Sequence, residues 1–212
     1  VGSEMCIRDR SLEQQGIVKV FRMKKDTYVW HTIHEQNMRH RLTEALCGYH
    51  EKYPYRYGMK KAEIHMTYMK KVKLNVFDLY VEMLSEEGAL KRHQEFLQLP
   101  EFEVRKDAVY EKVLKTVQKQ FEKVQFDFQR FSEISFGNIK REEVEDIMLL
   151  LIDEDIVVKI TEDIYTLKSI IEKAKEVIQN RLKENPLITI AEVRDLLGTS
   201  RKSAKPILEY MD

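Results

Sequence analysis

Residues 188–212, which read ITIAEVRDLLGTSRKSAKPILEYMD, decide the fold that the sequence predicts. Val193, Leu196 and Leu197 recur at helical spacing just before Gly198, and a second apolar stripe follows. That second stripe consists of Ala204, Ile207, Leu208 and Met211. Gly198 suits the left-handed end of a first helix. The stretch therefore predicts two short helices joined by a sharp turn, which is a helix-turn-helix.

The start of the predicted second helix is rich in cations. Arg201, Lys202 and Lys205 follow the turn at once, and no acidic residue lies between Leu196 and Ile207. Cations in this position are typical of a helix that meets phosphates and base edges in a nucleic acid. The alternative interpretation is a solvated cationic face with no ligand, which is the usual role of three charges on a helix.

Four neighbouring residues bear on this helix. Thr199 and Ser200 could donate to phosphate or cap the helix, and capping is the interpretation we favour. Arg194, on the preceding helix, could join the cations. Pro206 removes a helical hydrogen bond at a cost of roughly 3 kcal/mol. The apolar spacing nevertheless continues to Met211, so we predict a kinked helix that runs through Pro206.

Composition limits the class of protein. The chain has 212 residues, of which 43% are hydrophobic, enough for one or two average domains or for several small ones. Its 36 basic and 36 acidic residues balance, so any nucleic-acid contact must come from a local patch. No run of 18 apolar residues predicts a membrane span. Cys6 and Cys47 form no disulfide framework, which fits a reducing cytosol.

A repeat runs through the chain, in which a leucine is followed four residues later by glycine or aspartate. The four pairs are Leu12 with Gly16, Leu84 with Gly88, Leu151 with Asp155, and Leu208 with Asp212. A short apolar and basic run follows each of the first three pairs. The pattern predicts the end of a helix, a turn and a β-hairpin, which are the third helix and wing of a winged-helix domain.

The remaining periodicities agree with this repeat. Two hairpins are predicted, with strands at 17–22 and 27–31 around Lys24, Lys25 and Asp26, and at 156–160 and 164–167. Longer amphipathic helices open each unit at about 35–51, 108–123 and 169–183. We therefore predict a mainly α chain with small β-hairpins (α+β), arranged as tandem winged-helix domains.

Two segments of the sequence resemble one family. The runs DLLGTSRK (195–202) and AKPILEYMD (204–212) resemble the last winged-helix domain of bacterial selenocysteine-specific elongation factors. More weakly, HEKYP (50–54) and GMKKAE (58–63) resemble the connection between the first two helices of the family's second winged-helix domain. In that family, the last domain binds the mRNA hairpin that recodes a UGA codon. The proline at 206 also fits the family.

The resemblance implies a division of the chain into domains. Residues 1–10 look like a translated sequencing adaptor, and we expect them to contribute nothing to the fold. Residues 11–34 would be the tail and wing of a first winged helix, 35–107 the second domain and 108–167 the third. Residues 168–212 would be the fourth domain, ending before its wing, so we expect the chain to be part of a longer protein.

The resemblance also implies a function. The chain would bind the selenocysteine-insertion hairpin of mRNA through Arg194, Thr199, Ser200, Arg201, Lys202 and Lys205. The intact factor would bind GTP with magnesium, selenocysteyl-tRNA and the ribosome through domains outside this chain, as a monomer in the cytoplasm. The chain itself is predicted to be no enzyme and to hold no cofactor. No catalytic constellation or phosphate-binding loop is present, and Cys47 and His50 lack partners at zinc-like spacing.

Two alternatives remain, a DNA-binding transcription regulator with tandem winged helices and a protein-interaction array. A regulator should carry cations on the third helix of several units. However, residues 75–84 are nearly neutral, and residues 108–167 hold 8 basic and 13 acidic residues.

Residues 49–61, YHEKYPYRYGMKK, interleave aromatic rings with cations as single-strand binders do. We interpret this segment as an ordinary loop that seals its domain.

Overall fold

The computed structural model describes residues 11–23 and 27–211. The expectations for residues 1–10, for the turn at 24–26 and for Asp212 therefore lie outside the described residues. The chain divides into two compact units, Val1–Val104 and Arg105–Asp212. Among the described residues, no helix combines the length and the apolar composition that crossing a bilayer requires.

The described part of the first unit contains two hairpins and, after a short helical turn at residues 11–14, three helices. Strands β1 (Val18–Arg22) and β2 (Thr27–His31) form an antiparallel pair. The helices are α1 (Thr32–Lys52), α2 (Lys61–Tyr68) and α3 (Leu74–Glu86). A three-stranded sheet is made of β3 (Met59–Lys60), β4 (Lys91–His93) and β5 (Phe96–Gln98), with β5 in the middle. Three helices followed by a hairpin are what the sequence predicts for residues 35–107.

The β1–β2 hairpin and the helices of this unit share one hydrophobic core. Phe21 is only 5% exposed, and its ring lies 4.7 Å from that of Trp30. The Trp30 ring in turn lies 5.0 Å from that of Tyr80 on α3. Aromatic pairs in these tilted arrangements add to the stability that area burial provides. The hairpin, which the resemblance assigns to a preceding domain, is thus packed against the domain that follows it.

The leucine repeat corresponds to a recurrent backbone turn. Gly16 and Gly88 both have φ of 69°, and Asp155 has φ of 61°, so all three lie in the left-handed region. The next amide along the chain donates to the carbonyl of the repeat leucine: Ile17 to Leu12 at 3.0 Å, Ala89 to Leu84 at 2.8 Å, and Ile156 to Leu151 at 2.9 Å. This bond from the sixth residue to the first defines a Schellman ending. At these three positions the repeat therefore ends a helix and begins a hairpin.

The second unit contains five helices and one hairpin within the described part of residues 105–212. They are α4 (Ala108–Val124), α5 (Arg141–Asp153), β6 (Val157–Lys159), β7 (Tyr165–Leu167), α6 (Lys168–Glu184), α7 (Ile190–Leu197) and α8 (Arg201–Met211). Asp107 caps α4, because its carboxylate accepts from the amides of Val109 and Tyr110 at 2.9 and 3.2 Å. The wing predicted at residues 156–167 is confirmed, since Val157 pairs with Leu167.

The middle helix of residues 108–167 differs in type from the two α-helices on either side of it. Between α4 and α5, the described chain forms a 3-10 helix of three residues, Phe131–Glu133. Its amides bond to the wing: that of Phe131 donates to the carbonyl of Asp163 at 2.8 Å, and that of Ser132 to the Asp163 carboxylate at 3.1 Å. Ser132, Ser135 and Gly137 are weak helix formers. Hydrogen bonds to the wing therefore stabilise this short segment more than a longer α-helix would.

His50 is a buried titratable group near the end of α1. It is 6% exposed, and its ring stacks on Phe102 with centroids 3.6 Å apart. Its Nε2 accepts from the Leu99 amide at 3.2 Å, a bond that requires this nitrogen to be unprotonated. Burial lowers the pKa of His50 from 6.5 to about 4. His50 is therefore neutral in the folded protein at pH 7 and serves packing rather than metal binding.

We expect the first unit to lose stability as the pH falls from 6.5 towards 4. In that window the unfolded chain protonates His50 and the folded chain does not, so unfolding takes up a proton. At pH 5 the loss from this residue is about 2 kcal/mol relative to pH 7. Denaturant titrations at both pH values measure it through Trp30, the only tryptophan, which lies in this core. In His50→Gln, the free energy of unfolding should depend less on pH than in the wild type. An equal pH dependence in both proteins would contradict the conclusion that His50 stays neutral in the folded chain.

Candidate nucleic-acid interface

The helix-turn-helix of the last domain is built as the sequence predicts. Thr189 and Glu192 form a reciprocal capping box at the start of α7, and Gly198, with φ of 60°, ends it. Val193 on α7 and Ala204 and Ile207 on α8 are fully buried in one apolar cluster. This packing fixes the rotation of α8.

The rotation of α8 places its cations at the surface. Arg201, Lys202 and Lys205 are all exposed, because they lie on the side of the helix away from Ala204 and Ile207. Lys205 forms an exposed ion pair with Glu209, at 3.3 Å between Nζ and Oε1. Arg201 and Lys202 have no hydrogen-bond or ion-pair partner among the residues that the structure describes. These two cations are available to an external anion.

Arg194 lies in the last turn of α7, outside this pair of available cations. Its guanidinium bonds to the carboxylate of its neighbour Asp195, with Nη2 2.6 Å from Oδ1. The side chain remains 44% exposed, and exposed ion pairs contribute little stability. A phosphate could therefore replace Asp195 as the partner of Arg194 at small cost. Arg194 thus lies in the same helix-turn-helix as Arg201 and Lys202, but unlike them it is ion-paired, with Asp195.

Thr199 and Ser200 make tertiary hydrogen bonds. The Thr199 hydroxyl donates to the backbone carbonyl of Phe126 at 2.6 Å. The Ser200 hydroxyl donates to Oδ1 of Asp127 at 2.8 Å. Phe126 and Asp127 belong to the loop after α4, more than seventy residues earlier in the chain. Both hydroxyls therefore anchor the turn to that loop, a role that the local sequence did not predict.

Asp127 is the residue of this site that sequence reasoning missed. Its Oδ1 also accepts from the hydroxyl of Ser203, at 3.3 Å, and Ser203 is 2% exposed. The amide of Phe128 donates to the same Ser203 hydroxyl at 3.0 Å. Although residues 196–207 contain no acid, the fold thus brings a carboxylate to the start of α8. A contact over such a sequence separation leaves no signal in helical periodicity.

Helix α8 continues through Pro206 to Met211, as predicted. Proline has no amide hydrogen, so the Lys202 carbonyl lacks its usual helical donor at this turn. The buried contacts of Ala204 and Ile207 on either side offset this loss. The helix therefore carries its cationic first turn and its apolar stripe on one continuous element.

The aromatic and cationic segment at 49–61 lies in the other unit. The Arg56 guanidinium lies 4.1 Å from the ring centroid of Tyr53, and the Tyr49 ring lies 4.8 Å from the same centroid. Tyr55 is 2% exposed and belongs to the interior. These contacts hold the segment against its own domain.

Among the described residues, no group of three or more histidine, cysteine, aspartate or glutamate side chains could hold a metal ion.

Comparison with known proteins identifies two parts of the chain. Residues 43–99 match the second winged-helix domain, and residues 180–212 the third, of a family described as elongation factor SelB, winged helix. The second match lies within residues 168–212, which the resemblance predicts to be a fourth domain. A curated selenocysteine-specific elongation factor from Desulfomicrobium baculatum is 24% identical over 172 residues. That match covers 80% of this chain and 27% of the relative, so the chain spans about a quarter of the relative's length.

Two solved structures are also similar. One is the mRNA-binding domain of SelB from E. coli in complex with SECIS RNA, at 20% identity and a TM-score of 0.39, covering 47% of this chain and 84% of that one. The other is a bacterial selenocysteine-specific elongation factor, EF-Sec, at 17% identity and a TM-score of 0.46, covering 91% and 29%. Models of two winged-helix domains of elongation factor SelB thus match one part of each unit, and the curated selenocysteine-specific elongation factor is similar to most of the chain.

Proposed function

We propose that the last domain binds the selenocysteine-insertion hairpin of mRNA. The observation that carries this proposal is that Arg201 and Lys202 are exposed at the first turn of the second helix of a helix-turn-helix, and that their side chains have no partner among the described residues. A helix presented in this way can offer its first turn to a groove or loop while its apolar stripe stays buried.

The six site residues would have different roles in this contact. Lys202 and Lys205 would neutralise phosphates, a contribution that is independent of RNA sequence. Arg201 has a planar guanidinium that can donate two hydrogen bonds to one base edge. Arg194 would add a phosphate contact after leaving Asp195. Thr199 and Ser200 would act indirectly, by holding the turn against the loop at Phe126 and Asp127.

In the intact factor, this contact would serve as a tether. The factor would carry GTP with magnesium and selenocysteyl-tRNA on domains outside this chain, in the cytoplasm and as a monomer. Binding to the hairpin would hold that assembly near a ribosome stalled at UGA. Tethering raises the local concentration of a second binding partner without any new contact. The rate of UGA recoding would then depend on affinity at α8.

The two alternatives differ from this proposal in what the chain binds. A DNA-binding regulator would use several recognition helices, but α5 has Glu142 and Glu143 in its first turn and so repels phosphate. A protein-interaction array would not require Arg201 and Lys202 to be exposed and unpartnered. Neither alternative accounts for the family matches.

A binding experiment separates the three classes. The 212-residue chain is titrated with bacterial selenocysteine-insertion hairpins, among them the SECIS RNA of the E. coli complex, with loop-scrambled versions of each and with a DNA duplex of equal length. The proposal expects at least one hairpin to bind more tightly than its scrambled version and than the duplex. Preference for the duplex would favour the regulator. Absence of binding to every nucleic acid at low salt would reject the proposal.

A further inference from the structure

The N-terminal end of α8 is occupied by a carboxylate of the protein itself. The Asp127 Oδ1 accepts from Ser200 and Ser203 in the turn and first turn of the helix, at 2.8 and 3.3 Å. This end of a helix carries a partial positive charge and exposed amides, so it favours an anion. In a nucleic-acid-binding helix, that anion could be a phosphate of the ligand. Here the position is taken by Asp127.

The loop that carries Asp127 is held firmly in place. Its neighbour Phe128 is 9% exposed and belongs to the apolar cluster that includes Ala204 and Ile207 of α8. The Phe128 amide donates to the Ser203 hydroxyl at 3.0 Å. Asp127 itself is exposed, but moving its loop away from α8 would disturb a buried backbone bond and a core side chain. A phosphate would meet a fixed negative charge at this end of α8.

We propose that Asp127 is a specificity-determining residue for RNA, because it bars backbone phosphate from the end of α8. The inference rests on the proposed function of the last domain. Phosphate contacts add affinity for any RNA, whereas base-edge contacts add affinity for one sequence. With the helix end closed to phosphate, a larger share of the binding comes from the base-edge contact of the Arg201 side chain. The carboxylate thus lowers total affinity and raises discrimination.

The test is Asp127→Asn, which removes the charge and keeps an oxygen that accepts from Ser200 and Ser203. We expect the variant to bind the loop-scrambled hairpin about threefold to tenfold more tightly, with a smaller gain for the hairpin that the wild type prefers. The slope of log K against log salt should steepen by about 0.7 to 0.9, the value for one added phosphate contact. Glu142→Gln, the same charge change on α5, is the control for net charge.

A second variant separates positioning from charge. Asp127→Ala removes the acceptor as well and should lower the melting temperature, whereas Asp127→Asn should preserve it. Unchanged affinity, salt slope and discrimination in Asp127→Asn would overturn the inference and leave Asp127 as a helix cap. An equal effect in Glu142→Gln would also overturn it. If the wild type binds no hairpin, or if Arg201→Ala, Lys202→Ala and the variant with alanine at 201, 202 and 205 all bind as the wild type does, the proposed function fails instead.

Discussion

Arg201→Ala is expected to weaken binding to the preferred selenocysteine-insertion hairpin by about 1–3 kcal/mol and to blur its preference over a loop-scrambled hairpin. The reason is that Arg201 is exposed at the first turn of α8 and has no partner among the described residues. Its removal costs the free protein no side-chain hydrogen bond or ion pair among those residues. The whole loss therefore falls on the complex, and titrations of both hairpins with the variant measure it.

Lys205→Ala should behave differently from Arg201→Ala. A lysine that neutralises a phosphate contributes to every RNA, so affinity for both hairpins should fall alike and the salt slope should decrease by about 0.7 to 0.9. Lys205 also forms an exposed ion pair with Glu209, whose loss has little effect on stability. Discrimination between the two hairpins should remain as in the wild type.

The control for these variants is Lys119→Ala. Lys119 is an exposed lysine on α4 in the same unit, so its removal changes the net charge by the same amount. It should leave both affinities close to the wild-type values. If Arg201→Ala, Lys202→Ala and the variant with alanine at 201, 202 and 205 all bind the hairpin as the wild type does, at low salt and with unchanged melting temperatures, the cations form only a solvated face. The RNA-binding proposal would then be rejected.

The sequence predicted those features that depend on short-range chemistry. The leucine repeat marks the Schellman endings at Gly16, Gly88 and Asp155, because a left-handed residue is needed wherever a helix turns into a wing. The two helices around Gly198 were predictable because their apolar residues recur every three to four positions. Both signals lie within a few residues of the structure they specify.

The features that the sequence did not predict depend on distant partners. The contact of Asp127 with Ser200 and Ser203 spans over seventy residues, and the burial of His50 depends on Leu99 and Phe102. The short 3-10 helix at Phe131–Glu133 likewise depends on bonds to the wing. These contacts exist only once the core has assembled, so neither composition nor periodicity records them. For the binding site, the cations could be predicted, but the carboxylate beside them could not.

A second large effect is expected at Gly58, where the chain comes close to strand β5. A Cβ built there would overlap the carbonyl oxygen of Leu97 and lie 2.8 Å from its carbonyl carbon. The adjacent residue, Met59, pairs with Leu97 in the sheet and is 6% exposed. The obstacle is backbone, which cannot move aside as a flexible side chain can. Relief of the overlap would therefore require β3 and β5 to separate.

Gly58→Ala should accordingly destabilise the first unit by about 2–3 kcal/mol, as overpacking of a close contact does. Gly48→Ala is the matched control, because Gly48 lies inside α1 with nothing within 4 Å of a built Cβ. It should stabilise the unit by about 0.5–1 kcal/mol, since alanine is the better helix former. Denaturant unfolding followed by Trp30 fluorescence reports on this unit. Equal midpoints for Gly58→Ala and the wild type would show that β3 is not held against β5 in solution, and the winged-helix sheet of the first unit would have to be assigned differently.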